Sequence, residues 1–241
     1  MFYKNNKLLL SCLCIVLTPT SYALNEPVEG VYFGGVLGAT YMTNLSNITS
    51  PNPFTLHLSG KPNMGLTGGF QFGYRFKKNF RVEAEYFGTY DKVHELTVKT
   101  TTGTANIPSS SDYTTSDSNI HTPMAFMANI FFDYIIKDGT TYSKHVPYIG
   151  VGYGIAKINT YFAFHTNKPN TSTLKSVLLD GSENVNVAQL VIGYSQFLDD
   201  YTSVGIDYRL RRYSKVKAFN EGFNKHVIAF TFKSALTGIM G

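Results

Sequence analysis

Beyond residue 23 the chain has no cysteine, because Cys12 and Cys14 both stand near the N-terminus. A mature protein beginning after them has no disulfide, no thiol nucleophile and no cysteine-held zinc. Tryptophan is missing altogether. Charge is scarce: 15% of the residues are Asp, Glu, Lys or Arg, against roughly 25% in soluble domains. After residue 23 no apolar run approaches the roughly 18–20 residues that a membrane-spanning helix needs. The sequence also lacks G-x-S-x-G, H-E-x-x-H and a P-loop, so common hydrolase, zinc-protease and nucleotide chemistries have no signature here.

The first residues account for the early cysteines. Lys4 and Lys7 form a basic start, Leu8 to Thr18 is apolar, and Pro19-Thr20-Ser21-Tyr22-Ala23 places small residues at −3 and −1. That is the pattern of a cleaved secretory signal, here residues 1–23, leaving a mature domain of residues 24–241. The apolar run is too short for an anchor. Leu9-Leu10-Ser11-Cys12 looks like a lipidation box but sits mid-run rather than at its end, so lipidation is not expected. Loss of Lys4 and Lys7 lowers the net charge from +5 to +3, too weak to indicate a nucleic-acid partner.

What is abundant is Phe and Tyr, which make up the whole 15% aromatic share. They fall in alternation. From Asn79 to Asp91, Phe80, Val82, Ala84, Tyr86 and Tyr90 oppose Arg81, Glu83, Glu85 and Asp91. From Thr202 to Arg212, Val204, Ile206, Tyr208 and Leu210 oppose Ser203, Asp207, Arg209 and Arg211. Period two marks strands with one apolar face. The same pattern covers Val31–Tyr41, Leu66–Phe76, Phe126–Tyr134, Ile149–Ile155, Leu190–Tyr194 and Ile228–Phe232. Eight strands of about 9–14 residues are predicted, far longer than a globular mean of about 5–6 and near the length of a tilted membrane strand.

The connections alternate too. Met42–Asn63, Lys92–Thr122, Phe162–Asn184 and Ser214–Asn224 are predicted long, polar loops. Lys77-Lys78-Asn79 and Asp199-Asp200 are minimal turns, and Lys137–His145 is moderate. Long loops at one end and short turns at the other are the habit of an up-and-down outer-membrane barrel. A soluble ligand-holding barrel would alternate equally, with the apolar face inward. Three observations favour lipid outside: the polar face is poor in charge, the apolar face carries no Lys or Arg at any strand centre, and Tyr41, Tyr74, Tyr90, Tyr134, Tyr161, Tyr194 and Tyr208 recur at strand ends as an interfacial girdle would. The expected fold is therefore all-β, an eight-stranded antiparallel up-and-down transmembrane β-barrel behind a cleaved signal peptide.

With lipid outside, Arg75, Arg81, Glu83, Glu85, Asp133, Asp207, Arg209, Arg211 and Lys233 face the lumen and can neutralise one another. A salt-bridged plug is expected, since eight strands leave room only for side chains. Arg212, Lys215 and Lys217 stand at the rim, where lipopolysaccharide phosphates would meet them. His57, His94, His121, His165 and His226 lie toward the long-loop end and His145 toward the other, and no pair has ligand spacing. No metal or cofactor is expected.

Gly30-Val31-Tyr32-Phe33-Gly34-Gly35 and Pro147-Tyr148-Ile149-Gly150-Val151-Gly152-Tyr153-Gly154 resemble the OmpA-like/opacity-type porin family and its bacterial surface antigens, over nearly the whole mature chain. The resemblance implies a Gram-negative outer-membrane location, lipid and lipopolysaccharide as surroundings, a monomer, and loops that meet host or cell-surface molecules without catalysis. A lipid A-modifying enzyme and a narrow ion channel are the alternatives. Two features depart from the family pattern. Phe232 is followed by Lys233–Gly241 rather than ending the chain, and no peptidoglycan-binding domain follows the barrel.

Overall fold

The computed structural model describes residues 27–43, 45–48, 56–62, 64–100, 113–114, 118–138, 140–166, 175–216 and 221–236. The expected signal peptide lies outside them. Eight long strands form the wall: β1 (Gly30–Met42), β2 (Met64–Phe76), β3 (Phe80–Thr100), β4 (Ser118–Asp133), β5 (His145–Thr166), β6 (Lys175–Phe197), β7 (Thr202–Val216) and β8 (Glu221–Ala235). Each pairs antiparallel with its chain neighbour, and β8 pairs back onto β1. The sheet is thus a closed up-and-down barrel, with no free edge along its wall.

Register fixes the shape. From Phe33, successive partners are Phe72, Ala84, Ala128, Tyr153, Ala188, Arg212 and Asn224. The direct partner of Phe33 on β8 is Ser234, ten residues further on. A stagger of that size in eight strands tilts them by roughly 40–45° and leaves an interior that side chains fill.

The wall alternates as the sequence does. In β2, Leu66, Phe70, Phe72 and Tyr74 are exposed, while Thr67, Gln71 and Arg75 are buried. Phe70 is 73% exposed and Arg81, a long charged side chain, is 1% exposed. This inversion of the soluble pattern runs around all eight strands.

The strands are longer than expected. They span 13 to 23 residues, and the segments predicted as the loops Lys92–Thr122 and Phe162–Asn184 are in large part β. Strand β3 continues to Thr100, and β5 and β6 stay paired out to His165 and Lys175. In these segments apolar residues fall on both parities, so the alternation is lost while hairpin pairing persists. In the other direction β4 stops at Asp133, short of Tyr134, and the moderate connection carries a small hairpin, Lys137–Asp138 with Thr141–Tyr142. At the tight turn before Phe80, Lys77 and Lys78 both adopt left-handed φ angles, 49° and 61°. Two such residues within this three-residue turn give the kind of twist that tight hairpins favour.

Lumen-facing glycines on β5 make room for opposing side chains. A Cβ at Gly150 would strike the Phe131 ring, one at Gly152 the Asn129 amide, and one at Gly154 the backbone carbonyl of Phe126. Because that last neighbour is backbone, Gly154→Ala is expected to cost about 1–3 kcal/mol through overpacking, read as a lower urea midpoint of the barrel in micelles. Gly35→Ala faces outward, where a Cβ meets nothing nearer than 3.9 Å, and should leave that midpoint unchanged.

Candidate functional site: the charged lumen and the outer rim

Inward positions of all eight strands bring polar side chains into the barrel interior in three layers. Nearest the short turns, Asp133 accepts from Arg81 Nε at 2.8 Å and from Arg75 Nη2 at 3.3 Å. Arg81 also reaches Glu83 at 3.4 Å, and the Tyr32 hydroxyl donates to Glu83 at 2.8 Å. The Arg81 guanidinium lies 4.4 Å from the Phe131 ring centroid, so its apolar faces are covered by aromatic surface.

The middle layer centres on Glu85. One carboxylate oxygen accepts from Arg209 Nη1 at 2.5 Å and Arg211 Nη2 at 3.0 Å. The other accepts from Asn129 at 3.2 Å and Gln189 at 3.1 Å. Arg209 grips Asp207 with two nitrogens, at 2.7 and 2.9 Å, and Tyr148 donates to the same carboxylate at 3.0 Å. Arg211 stacks 3.5 Å above the Phe87 ring. Paired, hydrogen-bonded charges of this kind are the form in which a low-dielectric interior tolerates ions.

The layer nearest the long hairpins was not singled out in the sequence. Lys225 Nζ donates to Asp91 at 2.7 Å and Thr89 at 2.9 Å, and Thr40 donates to the same Asp91 carboxylate. Tyr213 and Phe223 stack beside it at 4.6 Å. Asp91 was legible as an inward acid on β3. Lys225 was not, because it falls between the predicted loop Ser214–Asn224 and the predicted strand Ile228–Phe232. Lys233, expected in the lumen, is buried there with its ammonium 5.2 Å from the Tyr148 ring.

The structure therefore gathers Arg75, Arg81, Glu83 and Asp133 in one cluster and Glu85, Asp207, Arg209 and Arg211 in another. Gln71 keeps both side-chain amide atoms buried without a protein partner, as do Glu83 Oε1 and Arg211 Nη1; such atoms suit bound water. The three layers set buried, largely paired polar side chains across the barrel interior.

The exterior is its complement. Outward positions along the belt are Phe, Leu, Ile, Val, Tyr, Ala and Gly with a few others, and none carries a fixed charge from Leu66 to Phe76, Phe80 to Tyr90 or Met124 to Phe132. Tyr41 and Tyr90 border it toward the long hairpins and Tyr74 and Tyr134 toward the short turns. Tyr208 differs from the expected girdle position. It stands between Ile192 and Ile228 and pairs with His226 at 2.6 Å. Past the belt, Arg212 and Lys215 are exposed on β7, and Lys92 and Lys157 are exposed on β3 and β5. Lys217 lies outside the described residues. His121 contacts Asn119 and Asn159, and His145 contacts Tyr194; among the described residues no three acids, histidines or cysteines cluster as a metal site would. No helix among the described residues is long and apolar enough to cross a membrane, which says nothing of strands.

No family model and no curated protein matches the chain. Solved structures do. Neisserial surface protein A aligns at 14% identity with a TM-score of 0.52, covering 86% of this chain and 98% of its own. The outer membrane protein OprG of Pseudomonas aeruginosa gives 14% identity and 0.42 over 88% of this chain and 99% of its own. Ail, the attachment invasion locus protein of Yersinia pestis, gives 10% and 0.41 over 86% and 99%. At these identities the likeness is one of architecture, and it agrees with the register and the inverted burial: the chain is an eight-stranded antiparallel β-barrel of the outer-membrane type.

Proposed function

We propose that residues 1–23 are removed on export and that the remaining chain spans a bacterial outer membrane. It serves there as a non-enzymatic surface protein, with its long hairpins outside and available to host or cell-surface molecules. The observation that carries this reading is the uncharged belt of large exposed side chains around a charge-filled axis, which water would not sustain. A lumen crossed by buried polar side chains argues against a conducting role, and the described residues assemble no nucleophile, base and oxyanion site for lipid chemistry. Protease treatment of intact cells is expected to cut within the long connections 92–122 and 162–184 and to spare the belt strands. Cleavage at Lys77-Lys78 instead would reverse the orientation. Mass spectrometry should find Leu24 at the mature N-terminus.

The exposed cations past the belt suit the phosphates of lipopolysaccharide, since arginine in particular offers paired donors to phosphate oxygens. Arg212→Ala with Lys215→Ala is expected to reduce the lipopolysaccharide that copurifies with the protein. Unchanged retention would mean that these side chains are merely solvated.

A further inference from the structure

At the short-turn end of the barrel the charge is lopsided. Residues 77–79 and 134–144 form the β2–β3 turn and the β4–β5 connection. They contain Lys77, Lys78, Lys137 and Lys144, with Asp138 offsetting one of the four. The β6–β7 turn, on another sector of the same rim, carries Asp199 and Asp200 and no base. Val28 donates to the Asp200 carbonyl, which brings Glu29 to that acidic side. A general attraction to an anionic surface calls for bases all round the rim. Here they occupy one sector.

Within that sector the lysines converge on Tyr142. Asn79 donates its amide to the Asp133 carbonyl at 2.8 Å, and the Asp133 N–H donates to the Asn79 carbonyl at 2.7 Å. These bonds tie the β2–β3 turn to the end of β4. Lys78 Nζ then donates to the Tyr142 hydroxyl at 2.9 Å and lies 5.0 Å from that ring's centroid. Lys137 Nζ lies 5.7 Å from the same centroid. The ring is a fixed platform, because it packs against Val146 and Phe197. Two ammonium groups gathered at one ring repel each other, and an anion between them would relieve this. Having accepted from Lys78, the Tyr142 hydroxyl keeps its own hydrogen to donate. The lysines also border the apolar belt. Phe76, which precedes Lys77, stacks on Phe80 at 5.9 Å, and Phe80 meets Phe132 at 5.3 Å. Tyr134 and Ile136, just before Lys137, are exposed.

We infer that this sector binds the head group of an anionic phospholipid. The phosphodiester lies between Lys78, Lys137 and the Tyr142 hydroxyl, and the acyl chains lie on Phe80, Phe132 and Tyr134. Positive charge alone would take any phosphate. Bases set beside a strip of exposed aromatic side chains fit an amphiphile, since one molecule then meets both. Lysine presents a compact point charge, which suits the single negative charge of a phosphodiester. Lys77 is exposed next to Lys78 and strengthens the local field. The assignment rests on the membrane-spanning reading and gives the barrel one preferred lipid neighbour at its short-turn end.

The chain has no tryptophan, so a single introduced one reports only its own surroundings. Tyr134→Trp stands in the basic sector and Tyr201→Trp beside Asp199 and Asp200, and both tyrosines are exposed. The full mature chain is refolded into phosphatidylcholine vesicles in which either phosphatidylglycerol or a share of the phosphatidylcholine carries brominated chains. Quenching of each reporter by the two brominated lipids gives its local preference. Each lysine near an anionic head group strengthens association by about fivefold. The Tyr134→Trp reporter should therefore favour phosphatidylglycerol by about tenfold or more, and the Tyr201→Trp reporter should show no such preference. Adding Lys78→Gln and Lys137→Gln to Tyr134→Trp should reduce the preference to about twofold or less. Arginine at both positions should keep it, which separates a lost charge from a damaged fold. Three results would overturn the inference: equal preference at the two reporters, a preference that survives the glutamines, or one that millimolar inorganic phosphate abolishes at constant ionic strength, which would mark a site for the free ion. Quenching without preference sinks the head-group site alone, whereas no quenching by either lipid at either reporter sinks the membrane-spanning reading with it.

Discussion

Glu85→Ala should lower the stability of the folded barrel by about 3–5 kcal/mol, the usual consequence of leaving buried charges without their partner. The carboxylate holds Arg209 and Arg211 through one oxygen and Asn129 and Gln189 through the other. Arg209 would retain Asp207, but Arg211 would keep only Gln189 at 3.1 Å and the face of Phe87. Glu85→Gln should be nearly as damaging, since it preserves shape but not charge. Adding Arg211→Met to Glu85→Ala should restore part of the loss by removing the stranded cation, and the cycle isolates their coupling. Urea unfolding in micelles is the measurement. A loss under about 1 kcal/mol for Glu85→Ala would mean that water, not protein, solvates the two arginines.

The second large effect is on the opposite face. Ile130 is 57% exposed, between Val82 and Val151 on the neighbouring strands. In lipid, Ile130→Arg should cost about 2–4 kcal/mol, because a guanidinium at mid-bilayer depth must be dehydrated or drag water inward. Asn184→Arg, on the hairpin above the belt, should change stability by less than about 0.5 kcal/mol. Refolding into vesicles and titrating with urea gives both numbers. Equal, small effects at the two sites would place water against Ile130.

These two residues illustrate what the chain disclosed beforehand. Alternation placed Ile130 outward and Glu85 inward, and strand count, order and face all follow from that period. The rule works best where it is enforced from both sides, by lipid without and by ion pairing within. It says nothing where apolar residues fall on both parities, which is why β3 beyond Asp91 and the β5–β6 hairpin beyond Tyr161 read as loops. The same blindness hid Lys225. It lies between the predicted loop Ser214–Asn224 and the predicted strand Ile228–Phe232, so the partner of Asp91 was assigned no parity. Pairwise geometry was equally out of reach. Five inward acids and six inward bases can be matched in many ways, and only the ten-residue stagger of the barrel decides that Glu85 meets Arg209 and Arg211 while Asp133 meets Arg75 and Arg81.

Spin labels placed one at a time on residues 126–133 of β4, in protein reconstituted into bilayers, test most directly which medium bathes each face. Labels at Phe126, Ala128, Ile130 and Phe132 are predicted to collide freely with dissolved oxygen and hardly at all with a water-soluble nickel chelate, while those at Met127, Asn129 and Phe131 meet neither. Ready access of the chelate to the even-numbered positions would contradict the account.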